Sequence, residues 1–237
     1  MILGIIPARG GSKGLPGKNI KLLAGRPMIG YTIEAAIESG CFDRLVVSTD
    51  CNEIAAVCRE YGVEVIIRPK EYATDIAPID LALKHAVEAV EKNGDVVQTV
   101  VWLQPNVPIR KAIHIGDVIS RLESSEADSV MTVSAVGWPI EKACRIENGE
   151  LKPYFGKTPK YACRQDYTSA YFCNGSIYAM KRDVLMRDLN PEDGYDYFFG
   201  EKRVPYLFER YEYGIEIDDY EAFALCEMFM SRKLGQG

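Results

Sequence analysis

The chain has 237 residues, with 28 Lys and Arg against 34 Asp and Glu, so its formal net charge at pH 7 is −6. This modest acidity argues against nucleic acid as a partner, and a composition of 47% hydrophobic residues supports a globular core. The five cations of the first 33 residues all precede the first acid, Glu34. A basic segment on an acidic body predicts a local site for an anion.

The cysteine and hydropathy patterns predict a cytoplasmic protein. Its seven cysteines are scattered, odd in number and without a CxxC pair, which argues against both a disulfide framework and a zinc site. The apolar opening stops at Pro7, and no later run approaches the roughly 20 apolar residues of a membrane span. We therefore expect no membrane segment and a single domain over residues 1–237.

In chain order, short apolar runs alternate with amphipathic segments, a pattern typical of βαβ units. The predicted strands are Ile2 to Ile6, Leu45 to Val47, Val63 to Ile67, Thr99 to Leu103, Ser129 to Val136 and Ser176 to Met180. Five helices are predicted. The first ends at Gly40, the second and third cover residues 52–61 and 79–92, the fourth includes residues 115–122, and the last follows Asp219. The pattern predicts an α/β fold with a doubly wound, mainly parallel sheet.

Residues 137–172 interrupt this alternation. They contain three prolines, several aromatics and an Asn148-Gly149 pair, which is a hairpin signal, but no amphipathic helix pattern. We interpret the segment as an excursion from the core, inserted before the last core strands.

The loop from Pro7 to Asn19 carries the strongest functional signal. Four glycines in eight residues follow a buried strand, and Arg9, Lys13 and Lys18 add positive charge. Backbone N–H groups in such a loop can converge on an anion, so the loop predicts a phosphate cradle. The spacing matches neither a P-loop nor the dinucleotide-binding fingerprint.

The same loop allows a different enzyme class. Residues 10–14 satisfy G-x-S-x-G, the nucleophile elbow of α/β-hydrolases, with Ser12 as the nucleophile. That chemistry needs a histidine base late in the chain, whereas His85 and His114 lie in predicted helices and no histidine follows. The phosphate site is the stronger hypothesis, and the serine hydrolase is kept as an alternative.

Near the other end of the chain, Glu216 and Asp218 stand two residues apart on a predicted strand, so both carboxylates project from one face. Mg²⁺ takes one or two such carboxylates together with substrate phosphates. The alternative is a solvated strand end at which Asp218 or Asp219 caps the last helix. Two further segments lie where α/β sheets bind ligands: residues 103–110, and Arg164-Gln165 together with residues 171–178.

Six motifs occur in order along nearly the whole chain: residues 6–19, Val-Ser-Thr-Asp at 47–50, Arg68-Pro69, residues 103–110, Asn-Gly-Ser-Ile-Tyr at 174–178 and Ile-Glu-Ile-Asp at 215–218. Together they resemble the acylneuraminate cytidylyltransferases, which are the CMP-sialic acid synthetases and their relatives acting on other nonulosonic acids. The resemblance implies a nucleotide-diphospho-sugar transferase-like, Rossmann-like fold. It also implies a homodimer in which residues 137–172 form an arm that crosses to the partner. The implied reaction is attack of the sugar's anomeric hydroxyl on the α-phosphate of CTP, with release of pyrophosphate.

The resemblance also implies a role for each matching residue. Arg9, Ser12 and Lys18 would hold the triphosphate, with Arg9 and Lys18 stabilising the charge of the transition state. The other implied contacts are Asn19 and Arg68 to cytosine, Gln104, Asn174 and Tyr178 to the sugar, Arg164 to the sugar carboxylate, and Glu216 and Asp218 to Mg²⁺.

Three departures from the family pattern bear on these roles. Asn106-Val107 stands where Thr-Ser is usual, Phe172-Cys173 where Arg-Pro is usual, and Glu216 where the family more often has Asp. The first two lie near the expected sugar pocket, so a different acceptor is one alternative. A nucleotide-binding subunit without catalytic activity is another.

Overall fold

The computed structural model describes residues 1–92, 94–156, 167–187 and 197–234. Its strands are β1 (Ile2–Pro7), β2 (Leu22–Leu23), β3 (Arg26–Pro27), β4 (Arg44–Thr49), β5 (Glu64–Ile67), β6 (Thr99–Leu103), β7 (Ser129–Ala135), β8 (Cys144–Glu147), β9 (Glu150–Pro153), β10 (Tyr171–Lys181) and β11 (Arg203–Leu207). Its α-helices are α1 (Met28–Ser39), α2 (Asn52–Glu60), α3 (Ile79–Glu91), α4 (Ala112–Glu123), α5 (Arg182–Leu185) and α6 (Tyr220–Leu234).

Among the described residues, seven strands form the central sheet, in the order β11-β7-β10-β6-β1-β4-β5. All neighbours are parallel except β10, which runs antiparallel to both β6 and β7. The predicted mainly parallel α/β fold is therefore confirmed. The carboxyl ends of β1, β4 and β6 lie at one edge of the sheet, and the reversed β10 brings its amino-terminal half to that same edge.

Helices cover both faces of the sheet, which explains why its central strands are apolar throughout. In β1, Leu3 and Ile5 belong to the cluster that contains α3, whereas Ile6 belongs to the cluster that contains α1, α2 and α4. All three side chains are fully buried. A strand buried on both faces holds the loop that follows it in a fixed position, and here that loop is the glycine-rich segment.

Two strands of the central sheet depart most from the sequence prediction. β10 begins at Tyr171 rather than Ser176, and its register shifts between Cys173 and Tyr178, where Gly175 adopts φ +73°. A bulge of this kind breaks the hydrophobic alternation that predicts a strand. β11 was not predicted at all. It contains Pro205 and lies at the sheet edge, where a residue without an N–H is tolerated.

The described part of the predicted excursion contains a small hairpin of β8 and β9. Asn148 and Gly149 form its two-residue turn with positive φ angles of 52° and 82°, as the Asn-Gly signal predicts. Because β10 begins at Tyr171, the excursion ends at residue 170, two residues earlier than predicted. Among the described residues, no helix is both long and apolar enough to cross a membrane.

The segment that carries Glu216 and Asp218 is not a strand, contrary to prediction. It has no regular secondary structure between a 3-10 turn (Tyr211–Gly214) and α6, and the Ile217 N–H donates to the carbonyl of Asn106 at 2.7 Å instead of joining a ladder. Both carboxylates nevertheless reach the same partner, as described below. Asp219 is the residue that caps α6, through a 2.8 Å bond from the Ala222 N–H.

Candidate active site

A cleft of about 320 Å³ opens at the carboxyl edge of the sheet. It is lined by seven of the predicted site residues, namely Arg9, Lys18, Asn19, Arg68, Gln104, Glu216 and Asp218, together with Pro7, Ile79, Trp102, Pro105 and Asn106. These residues come from five separate stretches of the chain. The parallel strands β1 and β6 and the segment before α6 bring them together.

The glycine-rich loop packs directly on the segment that carries the carboxylates. A Cβ atom at Gly14 would lie 2.3 Å from the backbone oxygen of Asp218, so only glycine permits this approach. On the opposite side, the Gly10 N–H donates to Asp50 Oδ1 at 3.0 Å, which ties the loop to the end of β4. The loop is therefore held between the end of β4 and the segment that carries Glu216 and Asp218.

Each cation of the loop has an acidic partner. Asp75 accepts from Arg9 at 2.8 Å and from Lys13 at 2.6 Å, and Lys13 followed by Arg9 holds the pKa of that carboxyl below its usual range. The Lys18 ammonium, whose side chain is only 17% exposed, lies 2.6 Å from Asp218 Oδ1 and 3.3 Å from the Ile217 carbonyl. Lys18 thus joins the basic loop to the carboxylate pair.

Asn19 and Arg68 bring buried polar atoms without partners to the cleft. The Asn19 amide donates to the Arg9 carbonyl at 3.0 Å, and its Oδ1 accepts no hydrogen bond within the described residues. Arg68 is 4% exposed, and its Nε and Nη1 are likewise unpaired in the described part of the chain. Burial lowers the pKa of Arg68, while nearby Asp50 raises it. Buried polar atoms are normally satisfied, so these three atoms are suited to a polar ligand.

Asn106 lies between the two acids. Its Nδ2 donates to Glu216 Oε1 at 3.0 Å and to Asp218 Oδ1 at 3.2 Å. Glu216 is exposed as a residue, yet its carboxylate is surrounded by the wall of the cleft, and this desolvation, together with the charge of Asp218, raises its pKa. The hydrogen bond from Asn106 and the charge of Lys18 act in the opposite direction.

The loop that carries Gln104 and Asn106 folds around a buried arginine. The Arg110 guanidinium donates to the carbonyls of Gln104 and Val107, with distances to Val107 of 2.6 and 3.2 Å. Burial lowers the pKa of Arg110 to about 9. Main-chain carbonyls, rather than a carboxylate, hold this cation, so Arg110 fixes the backbone from which the cleft residues project.

Trp102, on β6, and Gln104, just after it, also line the cleft. The Gln104 amide lies over the bulge in β10, because a Cβ atom at Gly175 would fall 2.9 Å from its Nε2. The Trp102 ring stacks on Tyr178 with a centroid distance of 4.5 Å. Tyr178 packs against Trp102 and is not among the residues that line the cleft.

Besides Tyr178, two of the predicted contacts among the described residues do not line the cleft. Asn174 is 1% exposed, and its amide bonds Thr132 Oγ1 at 2.7 Å and Ser134 Oγ at 2.9 Å, so its polar groups are used inside the sheet. Ser12 is half-buried in the loop but is not a lining residue. Arg164 lies outside the described residues.

The hydrolase alternative finds no support in the geometry. No hydrogen bond among the described residues joins Ser12 to a histidine, since His114 Nδ1 accepts from the Lys111 N–H and His85 packs edge-on against Tyr72. A serine nucleophile needs a base within hydrogen-bond reach.

Sequence reasoning missed two contacts at this site. Asp75 gave no signal, because an acid in a polar turn has no distinguishing pattern. Asn106 was noticed only as a departure from a family pattern and was associated with the sugar. It contacts Glu216 and Asp218, which lie more than 100 positions further along the chain, and a contact at that separation cannot be read from a single sequence.

Comparison with known proteins agrees with this geometry. A model of the cytidylyltransferase family matches residues 3–232. The chain is 35% identical over 222 residues to the N-acylneuraminate cytidylyltransferase of Streptococcus agalactiae serotype III (strain NEM316), covering 92% of this chain and 51% of that protein. It is 33% identical over 232 residues to the CMP-N,N'-diacetyllegionaminic acid synthase of Legionella pneumophila subsp. pneumophila (strain Philadelphia 1). That match covers 97% of this chain and 96% of the Legionella protein. The chain thus spans about half the length of the streptococcal protein and nearly all of the Legionella protein.

Solved structures show the same fold. A CMP:2-keto-3-deoxy-manno-octonic acid synthetase in complex with CTP superposes with a TM-score of 0.74, at 18% identity and with 98% of this chain and 99% of that chain covered. A 4-diphosphocytidyl-2C-methyl-D-erythritol synthase from Anaerococcus prevotii superposes with a TM-score of 0.65, at 15% identity and with 97% and 98% covered.

Proposed function

Because the chain belongs to the cytidylyltransferase family, we propose that it condenses CTP with an acidic sugar, either sialic acid or another nonulosonic acid. The products are the CMP-sugar and pyrophosphate. The relatives named above act on sugars of this class, as their names state.

One observation carries the proposal: the cleft combines unpaired polar atoms suited to cytosine with cations suited to a triphosphate. Cytosine offers an amino donor at N4 and acceptors at N3 and O2, which complement the acceptor Asn19 Oδ1 and the Arg68 donors. Uracil carries an oxygen in place of the amino group, so it would place an acceptor against Asn19 Oδ1. Arg9 and Lys18 lie beside this pair in the same cleft.

The residues of the cleft also fit Mg²⁺. Glu216 and Asp218 supply two carboxylates, and no group of three or more His, Cys, Asp or Glu that could hold a metal exists among the described residues. Mg²⁺ is commonly held by one or two carboxylates with the remaining positions left to phosphate oxygens and water. Bound there, the ion would neutralise phosphate charge and orient the reacting groups.

In the proposed reaction the anomeric oxygen forms a bond to the α-phosphorus, the bond from that phosphorus to the bridging oxygen breaks, and the hydroxyl proton passes to solvent. Negative charge grows on the α-phosphate and the departing pyrophosphate. Arg9 and Lys18 are positioned by the glycine-rich loop to stabilise that charge. Gln104 orients the sugar, and Arg164 is proposed, from the family resemblance, to bind its carboxylate.

The test is pyrophosphate release from CTP, Mg²⁺ and a panel of nonulosonic acids. We expect release with at least one acid and a kcat/KM for CTP about 100-fold above that for UTP, since an unpaired buried polar group costs about 1–3 kcal/mol. Lys18→Ala should abolish release, whereas Lys13→Ala, at a lysine of the same loop that does not line the cleft, should retain most of it. No release above the Lys18→Ala background with any acid contradicts the proposal.

A homodimer is the second part of the proposal. The described part of the excursion exposes five apolar side chains that are each at least 55% accessible: Trp138, Ile146, Leu151, Tyr154 and Phe155. A cluster of exposed apolar side chains is typical of an interaction surface. A second copy of the chain is the proposed partner, as the family resemblance implies.

Sedimentation equilibrium tests this assembly. Ile146 and Leu151 are cross-strand neighbours on the hairpin, so Ile146→Asp with Leu151→Asp should yield monomers. Ile37→Asp, at an exposed position of α1, should leave the dimer intact. A wild-type monomer at micromolar concentration contradicts this part of the proposal.

We further propose that the reaction takes place in the cytoplasm. The six cysteines in the described residues are all free, which suits a reducing compartment. CTP is also a cytoplasmic metabolite. Fractionation of the native cells, followed by detection of the protein, tests this location.

A further inference from the structure

Asn106 connects the two acids of the cleft at three points. Its Nδ2 donates to Glu216 Oε1 and to Asp218 Oδ1, and its carbonyl accepts from the Ile217 N–H between them, at 3.0, 3.2 and 2.7 Å. Asn106 is only 6% exposed, whereas both acids are exposed, so the amide donates from a buried position to carboxylates that remain open to solvent. One neutral side chain therefore sets the separation of two like charges.

The bonds leave one oxygen of each carboxylate unused. Lys18 and Asn106 both donate to Asp218 Oδ1, and Asn106 donates to Glu216 Oε1. Within the described part of the chain, Glu216 Oε2 and Asp218 Oδ2 accept no hydrogen bond. This arrangement fixes the orientation of both carboxylates and leaves an oxygen of each available to a cation.

The position of Asn106 is itself rigid. Pro105 precedes it, and Arg110 holds the carbonyls of Gln104 and Val107 on either side. An amide that donates from a fixed loop limits the rotation of both carboxylates at once. Groups that hold metal ligands in this way strongly influence metal affinity.

We propose that Asn106 is a positioning residue that prepares Glu216 and Asp218 for a divalent cation. This inference rests on the proposed function, because that function supplies the reason for a cation in the cleft. It assigns residue 106 to the metal site rather than to the sugar pocket.

Binding of Mn²⁺ alone, followed by the electron paramagnetic resonance signal of the free ion, tests the inference without turnover. Asn106→Ala should weaken Mn²⁺ binding about 10- to 100-fold, the range found when groups that orient metal ligands are removed. Val107→Ala is the matched control, because this buried neighbour contributes no side-chain hydrogen bond to either acid. If Asn106→Ala does not fold, Asn106→Ser, which keeps a shorter donor, should show a smaller loss in the same direction.

Kinetics provide a second readout. The KM for Mg²⁺ of Asn106→Ala should rise by a similar factor, while kcat at saturating Mg²⁺ stays within about threefold of wild type, because excess metal compensates for poor positioning. Mn²⁺ binding equal to or tighter than wild type overturns the inference, and so does a loss of kcat that Mg²⁺ does not restore.

Failure of the inference can be distinguished from failure of the proposed function. Wild-type protein should take up Mn²⁺ at a site that Glu216→Gln removes. If it does and Asn106→Ala binds equally well, only the role of Asn106 is refuted. If wild-type protein takes up no such Mn²⁺, the proposed metal site is refuted and the role of Asn106 with it.

Discussion

Replacing Gly14 by alanine tests whether contact between the glycine-rich loop and the carboxylate segment is required for activity. The new Cβ would lie 2.3 Å from the Asp218 backbone oxygen, whereas ordinary contacts begin at 3.4 Å. Backbone cannot rotate away as a side chain can, so the loop and Asp218 must separate by about 1 Å. A displacement of that size at reacting groups costs about 100-fold in rate. We therefore expect kcat/KM for pyrophosphate release to fall about 100-fold in Gly14→Ala.

Gly11→Ala is the matched control, because a Cβ at Gly11 meets no atom within 4 Å. We expect its kcat/KM to stay within about twofold of wild type, since an alanine there is accommodated without strain. Thermal unfolding should show a loss of about 1–3 kcal/mol in Gly14→Ala, the usual effect of overpacking, and almost none in Gly11→Ala. Equal activity in the two variants would refute the reasoning.

Three further predictions follow from individual contacts. Asp75→Asn removes a carboxylate that competes with CTP for Arg9 and Lys13. Calorimetry without sugar should therefore show CTP binding about threefold tighter, the size of effect expected for an exposed ion pair. Weaker CTP binding contradicts this prediction. Asn174→Ala should lower the free energy of unfolding by about 2–3 kcal/mol in urea, because Thr132 and the Ser176 N–H lose an acceptor, while the KM for the sugar is unchanged. Burial lowers the pKa of His114 below its ordinary 6.5. As the pH falls through about 6.5, the imidazole is protonated in the unfolded chain before it is protonated in the folded chain, so the free energy of unfolding should decrease. His114→Phe should flatten that decline in thermal unfolding measured from pH 7.5 to 5, and an unchanged slope would exclude His114 as its source.

The elements that could be predicted from the sequence are those in which burial imposes a strict pattern. The strand Thr99–Leu103 agrees residue for residue, because a strand covered on both faces must be apolar throughout. The strand at the sheet edge escaped prediction, since its outward residues are exposed and Pro205 argues against a ladder. The length of β10 escaped for a different reason: the bulge at Gly175 interrupts its alternation.

For the site, the sequence located the two charged ends but not the contacts between them. Arg9, Lys18 and the pair Glu216 and Asp218 could be proposed because their residue types suit phosphate and Mg²⁺. The hydrogen bonds of Asn174 inside the sheet could not be predicted. An asparagine beside a bulge can face either a ligand or the neighbouring strand, and the packing of the fold determines which of the two it faces.

The reversed direction of β10 affects how this fold can change. The chain leaves the sheet at the end of β7 and returns at the start of β10. Because β7 and β10 are antiparallel neighbours, both points lie at the end of the sheet where the cleft opens. The segment between them can therefore lengthen, shorten or change composition without a new crossover or a disturbed core. The proposed nucleotide end of the cleft, by contrast, is built on the loops that follow β1 and β5, two strands of the parallel part of the sheet, of which β1 is central and β5 is at the edge. The architecture thus separates a part that must stay constant from a part that can diverge as the acceptor changes.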